Sequence, residues 1–145
     1  MRAINLLVFT VAGFLAGCTT DISHRLPFSS AVGKSFVTKR ATLLYRNASW
    51  ESSQEALNLE DNALIRSGDY RRRSQEAVVP AGQSIRINSV VQEFAEATVF
   101  YDARGEVFVP SLGRFVAFRY GWGFDGKIMR APWENAATPR IRYLP

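Results

Sequence analysis

From Ser35 onward, hydrophobic and polar positions alternate in short runs separated by turn residues. Ser35-Phe36-Val37-Thr38-Lys39 and Ala41-Thr42-Leu43-Leu44-Tyr45-Arg46 are rich in β-branched and aromatic residues and predict two strands. Gly33 precedes the first, and Asn47-Ala48-Ser49 closes the second as a turn. The clearest signal follows Pro80-Ala81-Gly82. There Ile85 and Ile87 alternate with Arg86 and Asn88, the period of a half-buried strand that runs on to Val91. Glu96–Tyr101 and Glu106–Val109 read as the arms of a hairpin. Asp102 at the first turn position and Gly105 at the fourth suit a type I turn between them. Pro110–Gly113 predicts a further turn and Arg114–Tyr120 a strand. Gly121–Gly126 predicts a tight loop carrying Trp122 and Phe124. Lys127–Arg130 and Arg140–Leu144 predict short closing strands.

Two stretches are less regular. Gln54–Arg66 mixes helical spacing with alternation, so a short helix and a strand or loop both fit, with the balance toward strand or loop. Ser67–Glu76 is polar, contains Arg71-Arg72-Arg73, and reads as a surface loop. Short strands, frequent turns and few long amphipathic runs predict an all-β fold. The expected form is a small single-domain barrel or sandwich of short antiparallel strands. The Pro-x-Gly turn entering the Ile85–Ile87 strand is similar to that of small SH3-like β-barrels.

The N-terminus follows a different pattern. Met1-Arg2 is a short positive start, and Ala3–Leu15 is mostly apolar but shorter than the roughly 20 residues that span a bilayer. A short apolar stretch behind a positive residue and before small residues is the pattern of a secretory signal. The stretch ends in Leu15-Ala16-Gly17-Cys18. That tetrapeptide resembles the lipobox of bacterial lipoprotein precursors. The resemblance implies cleavage between Gly17 and Cys18 and attachment of lipid to Cys18. It also implies a Gram-negative outer-membrane address facing the periplasm, because Thr19 is not the Asp that retains such proteins in the inner membrane. The domain plan is then a signal helix over 1–17, a lipidated Cys with a flexible tether over 18–31, and a globular β domain over 32–145.

Composition narrows the chemistry. The 145 residues include one Cys and one His. One Cys forms no intramolecular disulfide and no multi-thiolate metal site. Lipidation of Cys18 would use up the only thiol. His24 falls in the expected tether, so a Ser-His-Asp triad and a histidine-bound metal are not expected, and no cofactor is implied. The glycine-dense Gly121–Gly126 lacks the Lys-Ser/Thr of a phosphate loop. Thirteen acidic residues leave a carboxylate-only hydrolase as a minor alternative, if two of them converge across a cleft.

The net charge of +5 comes from 15 Arg and 3 Lys against those acids. In an exported protein this bias suits phosphate or carboxylate partners rather than nucleic acid. Arg71, Arg72 and Arg73 are the candidate basic contact. Phe115, Phe118, Tyr120, Trp122, Phe124 and Trp133 crowd into nineteen residues and supply either a core or a stacking surface. Tyr120 and Trp122 are the candidate exposed pair, with Trp122 in the loop, and would make a glycan- or lipid-binding module. Trp133, after Pro132, is expected to pack over an end of the sheet. The leading expectation is a non-catalytic β domain, lipid-anchored at the envelope, that binds a protein or cell-envelope component.

Overall fold

The computed structural model describes residues 19–47, 57–61, 73–95 and 97–145. These residues form ten strands of one sheet: β1 (Thr19–Asp21), β2 (Ser35–Val37), β3 (Thr42–Asn47), β4 (Leu57–Asp61), β5 (Arg73–Val79), β6 (Ser84–Ala95), β7 (Thr98–Val109), β8 (Arg114–Phe124), β9 (Lys127–Met129) and β10 (Ile141–Tyr143). They contain no α-helix, so the all-β expectation holds. The main path through the sheet runs β1-β6-β7-β8-β4-β3-β5, and the described residues do not close it into a barrel. β2 adds to β6, while β9 and β10 extend β8. Pairing is antiparallel except between β4 and β8, where Leu57 and Phe118 stand in parallel register. The expected lipobox, Leu15 to Cys18, lies outside the described residues.

β6, β7 and β8 form the spine. In β7 the alternate residues Tyr101, Ala103, Gly105, Val107 and Val109 face the core and are buried. Val116, Phe118, Tyr120 and Trp122 of β8 and Ile85 and Ile87 of β6 meet them there. Period-2 patterning thus delivers one continuous apolar face. Gly105 permits the close approach of β6 to β7: a Cβ at this position would overlap the Arg86 carbonyl and sit 3.1 Å from the Phe118 ring.

Four expectations change. The hairpin turn at Asp102–Gly105 does not form. Those residues are mid-strand in β7, paired to β6 on one side and β8 on the other. Two long neighbours supply more ladder hydrogen bonds and burial than an isolated turn would. Chain reversal occurs instead beyond Ala95, with Ala97 in the left-handed region at φ 64°. The tight loop at Gly121–Gly126 shrinks to Asp125-Gly126. Both have positive φ, the pattern of a two-residue hairpin loop, and β8 runs through Trp122 to Phe124. The surface loop expected at Ser67–Glu76 gives way at Arg73, where β5 begins opposite Asn47 of β3. Within Gln54–Arg66, where helix and strand were both open, Leu57–Asp61 is a strand.

The flexible tether expected over 18–31 is the fourth correction. Thr19–Asp21 pairs with β6, and Phe28–Ser30 forms a 3-10 turn. Ile22 and Phe28 are each 1% exposed. The segment is polar on average, but two of its three large apolar side chains, Ile22 and Phe28, join the core under the sheet, while Leu26 is exposed. Phe28 meets Tyr101 at 5.7 Å and Trp122 at 5.4 Å between ring centroids.

Two stability predictions follow from this packing. Phe28→Ala should cost about 3–5 kcal/mol in urea unfolding, a loss that a tether residue would not show. Gly105→Ala should lower stability by at least about 1–3 kcal/mol, because the overlapped atom is backbone and cannot rotate away; a thermal melt checks this.

Candidate functional site

The C-terminal segment beyond β9 folds back over the same inner face that the N-terminal segment covers. Arg40 fixes it there. Its Nη2 donates to the Arg130 carbonyl at 2.7 Å and its Nη1 to the Ala131 carbonyl at 3.2 Å. The Lys39 amide donates to the Pro132 carbonyl at 2.7 Å. Trp133, expected to pack over an end of the sheet, is buried in the core. Its ring lies 5.3 Å from both Tyr120 and Trp122, edge to face.

Between the segment from Pro27 to Lys39 and the segment from Trp133 to Arg142 lies a cleft of about 390 Å³. Its wall includes Phe36 of β2, Lys39, Trp122, Trp133, Glu134 and Arg142. Glu134 is fully engaged. Arg142 Nη2 donates to Oε1 at 2.6 Å and to Oε2 at 2.8 Å, and the Ala131 amide donates to Oε2 at 2.6 Å. The donors are not all engaged. Trp122 Nε1 and Arg142 Nε are buried and meet no acceptor within the protein. Leaving a buried donor unmatched costs about 1–3 kcal/mol, and Thr42 Oγ1 on β3 is buried without a partner in the same way.

A second polar feature sits on the outer face of the spine. Arg119 Nη2 stands 2.9 Å from Glu93 Oε2 and 2.6 Å from Asp102 Oδ2, and Arg104 Nη2 reaches Glu93 Oε1 at 3.1 Å. Asp102 is only 4% exposed. Burial pushes its carboxyl above the ordinary carboxylate value; the Arg119 guanidinium opposes this and the Glu93 carboxylate adds to it. The convergence of two carboxylates was not visible in sequence, because β6, β7 and β8 bring the four residues together by register. One guanidinium holds both acids, neither lines the cleft, and Asp102 is too enclosed to meet a substrate. This is an ion-pair network of the sheet.

The expected site residues fare unequally. Cys18 and Gly17 lie outside the described residues, as do Arg71 and Arg72. Arg73 opens β5 and belongs to the sheet backbone rather than to a free loop. Tyr120 and Trp122 do come together, but at 6% and 3% exposure. They occupy inward positions of β8, two residues apart, so they do not form the exposed stacking pair expected of them. His24 is exposed. Lys39, Glu134 and Arg142 were missed, since nothing in their local patterns joins them; only the return of the C-terminal segment does.

Among the described residues, no three His, Cys, Asp or Glu side chains are grouped to hold a metal ion, and no helix is long and apolar enough to cross a membrane. Comparison with protein-family models, with curated proteins and with solved structures finds no match to this chain.

The raised Asp102 carboxyl has a definite sign in stability. Its charged form is disfavoured by folding, so its stabilising contribution is full below the unfolded carboxylate value. It is lost as pH rises through the higher folded value. The stability of the native protein relative to Asp102→Asn should therefore fall as pH is raised through the acid range from about 3. Urea midpoints measured in parallel on the two proteins check this.

Proposed function

We propose that this protein is a lipid-anchored envelope protein whose β domain is non-catalytic and binds a protein or cell-envelope component. Cys18 is the acylated residue, and the anchor lies in the outer membrane with the domain facing the periplasm.

The observation that carries this reading is a row of residues running across the sheet from the residue next to Cys18. Thr19 of β1 pairs with Glu93, Glu93 with Phe100, Phe100 with Phe124, Phe124 with Lys127, and Lys127 with Tyr143. Phe100, Phe124 and Tyr143 are exposed, Tyr143 to 75%. Lys127 Nζ lies 5.9 Å from the Phe124 ring centroid. Exposed aromatics flanked by a long cationic side chain suit the water–lipid boundary, where rings and methylene stems sit in the headgroup layer. β1 starts at Thr19, so an acyl group on Cys18 holds this row flush with the bilayer instead of on a long leash. Each buried acyl CH₂ contributes about 0.8 kcal/mol, so two or three chains give lasting attachment where one would not.

Cys18→Ala should abolish labelling by a radioactive fatty acid and move the protein out of the membrane fraction. Unchanged labelling and attachment would overturn the anchor.

A further inference from the structure

We propose that the end of the sheet formed by the β6–β7 and β8–β9 turns is a docking surface for a lipid bilayer, with an affinity of its own beside that of the acyl anchor. It enters the headgroup layer end-on, with apolar side chains from both faces of the sheet. This deepens the reading above and rests on it only for placing the domain at a bilayer.

Exposed aromatics are unevenly distributed over the molecule. Five are exposed among the described residues, and four of them, Phe94, Phe100, Phe124 and Tyr143, lie at this end, so the clustering belongs to one place in the fold. The fifth, Phe115, packs edge-on against Phe108 at the opposite end of β7. Phe100, Phe124 and Tyr143 stand in the row described above, on the outer side of the sheet. Phe94 pairs with Val99 one position nearer the turn, and alternation puts it on the side of Tyr101, the inner one. Leu26, 73% exposed, arrives at the same end from the N-terminal segment, where it and Arg25 line a small cleft with Gln92, Tyr101 and Leu144. Apolar side chains on one face alone would favour a sheet lying flat on the bilayer. Their presence on both faces of one end fits immersion of that end.

Backbone polar groups that enter lipid must find partners inside the protein. The two turns provide them for each other. The Asp125 amide donates to the Val99 carbonyl at 2.8 Å, and the Val99 amide donates to Asp125 Oδ1 at 2.9 Å. The Gly126 amide donates to the Tyr101 hydroxyl at 3.1 Å, and the Gly126 carbonyl accepts from the Leu144 amide at 2.7 Å. These bonds tie the turns and the C-terminal strand into one platform, which lowers the ordering cost of docking. Glu93 is held by Arg104 and Arg119, and Asp125 by the Val99 amide, so both acids are engaged within the protein. Arg25 is exposed and Lys127 stands over the Phe124 ring. Cations beside aromatics match the phosphates and the upper acyl carbons of a bilayer. The chain also enters here: the mostly apolar Ala3–Leu15 leads to Thr19, which pairs with Glu93 in the aromatic row.

The test uses full-length Cys18→Ala protein, which has no native thiol. An environment-sensitive fluorophore is placed on Ala97→Cys, in the β6–β7 turn, or on Ser111→Cys, in the turn beyond the far end of β7. Each is titrated with vesicles of phosphatidylethanolamine and phosphatidylglycerol that carry a nitroxide near the headgroup. The expected result is saturable quenching at millimolar lipid, at least threefold greater at position 97 than at 111. That affinity is too weak to keep unacylated protein in a washed membrane fraction. Phe94→Ser with Tyr143→Ser should weaken the lipid titration at least fivefold at an unchanged melting temperature, since both side chains are exposed. No quenching at position 97, equal or greater quenching at 111, or full affinity in the double variant would each overturn the proposal. Fatty-acid labelling of the native protein reads the anchor separately, so loss of the anchor with the quenching pattern retained sinks that reading and leaves the docking surface standing.

Discussion

The contact of Trp122 with Phe28 on one side and Trp133 on the other is what the rest of the molecule depends on. The spine of β6, β7 and β8 presents a broad apolar inner face, and an open sheet cannot leave such a face in water. Part of its cover comes from the two ends of the described chain, while Leu44 of β3, Leu59 of β4 and Ala77 and Val79 of β5 join the same core. Ile22 and Phe28 arrive from the N-terminal side, Ala131 and Trp133 from the C-terminal side, and all four are buried. Edge-to-face aromatic contacts join the two covers across Trp122 and add specificity to burial that would otherwise be non-directional.

This arrangement explains where polar chemistry collects. The segments that cover a sheet bring unpaired backbone groups with them, and Arg40 satisfies two of these by donating to the Arg130 and Ala131 carbonyls. Glu134 does the same for the Ala131 amide and recruits Arg142. The cleft is the gap left where two covers meet over a rigid aromatic floor. The outer face solves a different problem. There Arg119 holds Glu93 and Asp102 together, which orders the spine at the cost of a desolvated carboxylate.

Much of the strand content could be read locally. Ile85 and Ile87 are both fully buried, as their alternation with Arg86 and Asn88 implies, and Pro110–Gly113 turns with Gly113 at φ 63°. The failures share one cause. Asp102–Gly105 has good turn chemistry and Gly121–Gly126 good loop chemistry, but both sit between long partners that pull them into the ladder. In β7 the glycine serves close strand approach rather than a turn. Gly123 has the same role in β8, where a Cβ would overlap the Lys127 carbonyl. A glycine in sequence carries the same signal for either use.

Fold class and the residue types available for chemistry were legible along the chain, because period-2 burial and residue counts do not depend on tertiary contacts. One Cys and one His stand at its N-terminal end whatever the fold does. Tertiary structure alone decided that residues 19–31 are part of the domain and that Tyr120 and Trp122 face inward. It alone decided that Lys39, Trp122, Glu134 and Arg142 share one cleft. These are long-range outcomes: Lys39 and Arg142 line one cleft because segments from either end of the described residues cover the same apolar face, and no local pattern records which segments will be drawn to it.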